Sequence, residues 1–164
     1  MTAIRAATPA DIPGILAIWN PVIRDTAITF NSAEKTPDDL LAALRDKAAA
    51  GHAFLVAAPE GRVLGFATYG PFRGGTGYAR TLEHTILLAP DAQGRGLGRA
   101  LMEALCDHAR AGGVHSLIGG VSAENPQGRA FHAAMGFAEA AILPQVGWKF
   151  GRWMDLVLMQ KFLS

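Results

Sequence analysis

The sequence predicts one α/β domain built on a mixed sheet, and three observations carry that expectation. Segments of strand length alternate with segments of helical apolar spacing in the order β-α-α-β-β-β-α-β-α-β-β. Half of the 164 residues are hydrophobic and only 18% are charged, which argues for a compact core and against disorder. Between Glu83 and Met102 an apolar strand runs into a glycine-spaced turn from which a helix opens directly. No internal repeat, low-complexity stretch or linker divides the chain, so residues 1–164 are expected to form a single domain.

Thr2 to Ala7 reads as a first strand. Thr8-Pro9-Ala10-Asp11 supplies an N-cap threonine, a proline at N1 and an acid at N3, and Ile12, Ile15, Leu16 and Trp19 then recur at helical spacing up to a stop at Asn20-Pro21. Thr26 to Asn31 is an apolar loop or short strand, either packing or a pocket wall. Thr36-Pro37-Asp38-Asp39 starts a second helix, carried by Leu40, Leu41 and Leu44 and stopped by Gly51. Ala53 to Ala58 and Arg62 to Tyr69, joined by Pro59-Glu60-Gly61, read as a hairpin. Four glycines between Gly70 and Gly77 make a loop, the kind of segment that often carries function. The strand from Leu82 to Ala89 precedes a helix with Leu97, Leu101, Ala104, Leu105 and His108 on one face, ending at Gly112-Gly113. Val114 to Ser122 is a strand whose Gly119-Gly120 marks close approach by a ligand or another backbone. Asn125-Pro126 opens a helix that stops at Gly136; strands follow from Phe137 and from Met154 to Phe162.

The bulk properties exclude several classes. A net charge of +1 provides no field for nucleic acid or for an anionic membrane. Cys106 is the single cysteine, so an intramolecular disulfide is impossible; its apolar helical setting suits a buried structural thiol. The spacing of the five histidines does not suggest a metal site. No basic-then-apolar leader and no apolar run of ~18 residues is present, so a cytoplasmic protein is expected.

The turn Gln93-Gly94-Arg95-Gly96-Leu97-Gly98-Arg99 is the strongest chemical signal. Backbone N–H groups at a helix start converge on one point, where the helix dipole adds positive charge, and glycines admit a ligand without Cβ interference. A nucleoside-triphosphate loop needs glycine followed by lysine, and none of the 19 glycines is. A dinucleotide fingerprint needs a third glycine at position 99, which is arginine. A purely structural glycine turn stays open.

The spacing Gln93-x-x-Gly96-x-Gly98 resembles the GNAT superfamily of N-acetyltransferases. Thr81-Leu82-Glu83-His84-Thr85, Phe131 to Phe137, and Val146-Gly147-Trp148-Lys149-Phe150-Gly151-Arg152-Trp153-Met154-Asp155-Leu156 are similar to its phosphinothricin and methionine sulfone/sulfoximine branch. The resemblance implies a mixed, mostly antiparallel sheet of six to seven strands with about four helices, splayed between its two central strands. It implies acetyl-CoA as co-substrate with no metal, its pyrophosphate on Gln93, Gly94, Arg95, Gly96, Leu97, Gly98 and Arg99. The pantetheine arm would lie along Ile86, Leu87 and Leu88, with Asn125 facing the cofactor. The partner implied is a small amine, the α-amino group of an amino acid analogue, in a protein that forms a homodimer.

Acetyl transfer from a thioester to an amine needs a base for the ammonium proton, donors for the oxyanion and a proton for the departing thiolate. Glu83 is the candidate base, at the start of the pantetheine strand; its alternative is a solvated strand-end glutamate. His132, two turns after Asn125, stands where many superfamily members have a tyrosine and is the candidate acid or second base. Regular alternation would point His84 to the face opposite Glu83. Arg73 is the candidate anchor for a substrate carboxylate, followed here by Gly74-Gly75 in place of bulkier residues. Phe30, where relatives often have tryptophan, together with His84, Thr85, Lys149 and Trp153 would complete the acceptor pocket. Other acceptors (a polyamine or a protein N-terminus) and a non-catalytic acyl-CoA sensor remain as alternative readings.

Overall fold

A computed structural model describes residues 4–164. One seven-stranded sheet runs in the order β1-β2-β3-β4-β5-β7-β6, formed by β1 (Ile4–Ala6), β2 (Phe54–Ala57), β3 (Gly65–Pro71), β4 (Thr81–Leu88), β5 (Ser116–Ser122), β6 (Ala138–Lys149) and β7 (Arg152–Phe162). The helices are α1 (Ile12–Asp25), α2 (Pro37–Ala50), α3 (Leu97–Ala111) and α4 (Pro126–Ala134). The element order is the expected one. Thr2 and Ala3 of the expected first strand lie outside the described residues. No described helix is long and apolar enough to cross a membrane.

Only β4 and β5 pair in parallel, and their pairing lasts from Thr81↔Ser116 to His84↔Gly119. Beyond that point β4 continues on β3 as far as Leu88↔Gly65, and β5 continues on β7 as far as Ser122↔Leu156. The sheet is therefore split down its middle, and Thr85 to Leu88 keep one ladder edge without a strand partner. This is the splay that the family resemblance implied.

Alternation along β3 sorts the two faces. Phe66 packs on Trp19 of α1, ring centroids 4.8 Å apart, whereas a Cβ on Gly65 would meet Leu101 of α3 at 3.0 Å. Carried across the register, Glu83, Thr85 and Leu87 take the α1 face, and His84, Ile86 and Leu88 take the α3 and α4 face. α3 buries Leu97, Leu101, Met102, Leu105, Cys106 and Ala109. Cys106 is a core thiol whose pKa burial pushes up. His108, expected on that apolar face, is instead exposed at its edge, where its Nδ1 meets the buried Tyr69 hydroxyl at 2.6 Å.

Local chemistry accounts for most boundaries. Thr36 and Asp39 form a capping box on α2, which ends on Gly51 at φ +73. The two-residue turn Phe150-Gly151 has both φ values positive, as hairpin twist demands, and joins β6 to β7. The expected stop at Asn20-Pro21 is corrected: α1 runs through Pro21 to Asp25. Proline removes one helical bond at a cost on the order of 3 kcal/mol. Beyond it Ile23 is fully buried, offsetting about 1.5–3 kcal/mol of that cost. Thr26 then closes the helix, its hydroxyl donating to the Val22 carbonyl at 2.7 Å.

Asp11 supplies an acid-sensitive tie. Its buried carboxylate accepts from both Arg5 guanidinium nitrogens, at 2.7 and 2.9 Å, and from the Thr8 N–H at 2.8 Å. The Arg5 hydrogen bonds hold its pKa at about 2, below the ordinary 3.8. A lowered folded-state pKa means the stabilisation is complete above pH ~4 and is lost as pH falls towards 2. Because Arg5 is solvated, screening makes the contribution smaller than the pKa shift alone would give. Asp11→Asn should lower Tm at pH 7 and flatten the fall in Tm between pH 4 and 2; calorimetric scans across that range check it.

Candidate active site

The split places two cavities side by side along the unpaired half of β4. The first, about 320 Å³, is walled by Glu83, Thr85, Gly120, Ser122 and Leu156, with Phe30 and Asn31 closing it from the loop after α1. The second, about 450 Å³, runs from Ile86, Leu87 and Leu88 to Gln93, Gly94, Gly96, Gly98 and Arg99, with Phe131 opposite. Ile28, Ile86, Leu87, Asn125 and His132 border both.

Glu83 stands at the inner end of the first cavity with no ion-pair partner among the described residues. Its side chain is exposed to the open cleft, and the partial desolvation there disfavours its charge and raises its pKa above the ordinary carboxylate value. Its carboxylate lies 3.1 Å from where a Cβ on Gly120 would be. A Cβ on Gly119 would lie 2.9 Å from the His84 ring and 3.1 Å from the His132 ring. The glycine pair that marked close approach in the sequence therefore clears one face of β5 for Glu83 and the other for two histidines.

Those histidines meet through Nε2 atoms 2.8 Å apart, both rings buried. His132 also places Nδ1 2.7 Å from the Gly128 carbonyl. Burial lowers both pKa values; for His84 the neighbouring His132 lowers it further while the Ile118 backbone opposes the shift, and for His132 the Gly128 bond opposes it. Both rings are neutral at neutral pH. His84 faces away from Glu83, as alternation required, and its ring is engaged by His132.

The glycine turn has the features of an anion site, for reasons more specific than open access. Gly94 and Gly96 hold φ near +79 and +77, and a Cβ on either would meet nothing within 4 Å. Their requirement is conformational. Gly98 is needed for packing: its Cβ would lie 3.1 Å from Phe131 and 3.3 Å from Leu88. No side chain caps the α3 start at Gly96, so the first-turn N–H groups have no side-chain acceptor. Leu97 sends its side chain into the core, so only its backbone can serve this site. Asn125 caps α4, Oδ1 accepting from the Gly128 N–H at 3.0 Å.

Phe30, His84 and Thr85 line the first cavity. Phe30 lies over Gly147, where a Cβ would be only 2.4 Å from the ring. Three other candidates stand away from both cavities. Lys149 is buried away from both cavities and donates from Nζ to the Thr26 and Thr29 carbonyls, at 2.6 and 2.8 Å. A lysine so enclosed must satisfy its charge locally, and here it straps down the loop that carries Phe30. Trp153 is 58% exposed and pairs with Trp148 on the β6–β7 hairpin, because strand alternation points both to the outside. Arg73, Gly74 and Gly75 form an exposed loop that lines neither cavity, with the Arg73 guanidinium 5.3 Å from the Tyr78 ring.

Sequence reading missed Trp19, Ser122 and Leu156 as pocket residues, and Gln127 and Gly128 beside the second cavity. Apolar or small residues inside regular elements give no local sign of lining a cleft.

Comparison with known proteins agrees with this geometry. The family model described as Acetyltransferase (GNAT) family matches residues 19–137. The L-methionine sulfoximine/L-methionine sulfone acetyltransferase of Pseudomonas aeruginosa is 41% identical over 162 residues, 96% of this chain and 92% of that protein. The phosphinothricin N-acetyltransferase of Alcaligenes faecalis is 36% identical over 162 residues, 98% and 82% of the two chains. The yncA acetyltransferase of Salmonella typhimurium, solved with its cofactor acetyl-CoA, superposes with a TM-score of 0.95 at 37% identity, covering 100% of this chain and 95% of that one.

Proposed function

Because the chain belongs to the GNAT family of acetyltransferases, we propose that it moves the acetyl group of acetyl-CoA to the α-amino group of a small amino acid analogue of the methionine sulfoximine, methionine sulfone or phosphinothricin type. The observation that carries this reading is Glu83, an uncompensated carboxylate of raised pKa at the inner end of the split, beside the free edge of β4. Acetyl-CoA supplies the activated carbonyl. Thr85 to Leu88 offer backbone donors and acceptors for its amide-bearing arm, and the α3 start offers N–H groups for its diphosphate.

Glu83 then takes a proton from the arriving ammonium, directly or through water, so that the amine lone pair can attack. The C–N bond forms, the C–S bond breaks with its electron pair passing to sulfur, and the second proton lost from the nitrogen neutralises the departing thiolate. A carboxyl with a raised pKa is the better base at neutral pH, because base strength grows with pKa while the ionised form still dominates.

A second acceptor class is favoured by one observation. No lysine or arginine lines the Glu83 cavity among the described residues, so a substrate carboxylate would find no cation there. A simple amine or polyamine, which carries no carboxylate, would need no such cation. The apolar outside of the β6–β7 hairpin, with Val146, Trp148 and Trp153 each more than half exposed, supports a homodimer that covers it.

One assay separates these readings: thiol release from acetyl-CoA with methionine sulfone, methionine sulfoximine, phosphinothricin, spermidine and a short peptide. The expected outcome is highest kcat/KM for the amino acid analogues. Preference for spermidine would overturn the acceptor assignment. Acetyl-CoA binding by calorimetry with no turnover on any amine would overturn the enzyme assignment in favour of a sensor.

A further inference from the structure

The use of every ring nitrogen in the histidine pair leads to a role for His84 that the acetyl-transfer reading leaves unassigned. A carbonyl oxygen only accepts, so the 2.7 Å contact with Gly128 puts a proton on His132 Nδ1. In a neutral imidazole the other nitrogen is then an acceptor. His132 Nε2 must therefore receive its 2.8 Å hydrogen bond from His84, whose Nε2 carries the proton. That leaves His84 Nδ1 as a lone pair, buried and without a hydrogen-bond partner among the described residues. The rings are held near-parallel, 27° apart, with Phe137 against both, and Gly119 leaves the space they occupy.

We propose that His84 is the positioning residue of this site: its Nε2–H locks His132 in the Nδ1–H form, occupies the Nε2 lone pair and so fixes the ring that borders both cavities. Loss of that donor frees the His132 ring to turn and to change tautomer.

The proposal rests on the acetyl-transfer reading only for its activity arm. The first test is independent of it: two-dimensional NMR of the wild-type protein labelled with ¹⁵N-histidine, at neutral pH. Expected is His132 protonated at Nδ1 and His84 protonated at Nε2; a His132 protonated at Nε2 overturns the proposal. The second test compares His84→Leu with His84→Gln, whose amide can still donate towards His132. His84→Leu should lower kcat about tenfold or more, with KM for acetyl-CoA within about twofold, and His84→Gln should recover most of that loss. Equal losses in both variants, tracking a common fall in Tm, or an undiminished kcat in His84→Leu, would show a packing role and overturn it. If no amine is acetylated by the wild type, the NMR result still decides the tautomer claim while the acetyl-transfer reading falls by itself.

Discussion

Glu83→Gln should lower kcat by about two orders of magnitude or more, the scale on which a positioned base contributes. The amide keeps the size of the side chain and loses only its capacity to take a proton. Binding of acetyl-CoA should be unchanged, because the second cavity does not include position 83. Stability provides the control. Partial desolvation raises the Glu83 pKa in the folded state, so the folded protein holds that proton more tightly than the unfolded chain. The stabilising effect of the protonated form is present at low pH and is lost as pH rises through the folded-state pKa. Because the Glu83 side chain is exposed, the effect on the fold at pH 7 is small, and Glu83→Gln should leave Tm close to unchanged. In the wild type, the acid limb of the kcat profile should fall at a higher pH than an ordinary glutamate would give. Steady-state rates across pH, read beside thermal melts, test all three statements. A variant with wild-type kcat would remove Glu83 from the mechanism.

Gly94→Ala and Gly96→Ala should act on affinity for acetyl-CoA. Both positions hold left-handed φ values with open space around a Cβ, so the cost of alanine is backbone strain and not a clash. That strain is about 1–2 kcal/mol per residue. A turn that relaxes to relieve it no longer aims its N–H groups at one point, and the same energy then appears as roughly tenfold weaker binding for each substitution. Calorimetric Kd values for CoA, with kcat measured at saturating acetyl-CoA, separate the effects: Kd should rise while kcat holds within a few-fold. A kcat loss at unchanged Kd would mean that the turn serves the chemistry and does not hold the diphosphate.

The fold was legible because its signals are short-range. The threonine at 36 with aspartate at 39, the glycine at 51 and the asparagine at 125 each satisfy backbone groups within a few residues. Pro21 misled for the complementary reason: a local breaker was outweighed by the burial of Ile23, a contact made elsewhere in the chain. Lys149 and Trp153 take directions that a local pattern does not contain. Strand alternation sends Trp153 outward, and an enclosed ammonium sends Lys149 to the carbonyls of Thr26 and Thr29, on the loop that presents Phe30.

By itself the sequence determined the element order and the helix start that suits an anion, since periodicity, capping and glycine φ are properties of adjacent residues; the candidates Glu83 and His132 came from the family resemblance. Tertiary structure alone decided how those candidates meet. Glu83 and His84 point to opposite faces of β4, and His132 arrives 48 residues after His84 on a helix of the second face. They border one cavity because β4 and β5 stop pairing at His84↔Gly119 and glycines at 119 and 120 leave room on both sides. Where two strands part is set by what each continues to pair with, β3 for one and β7 for the other. That competition runs over the whole sheet, and no window of sequence contains it.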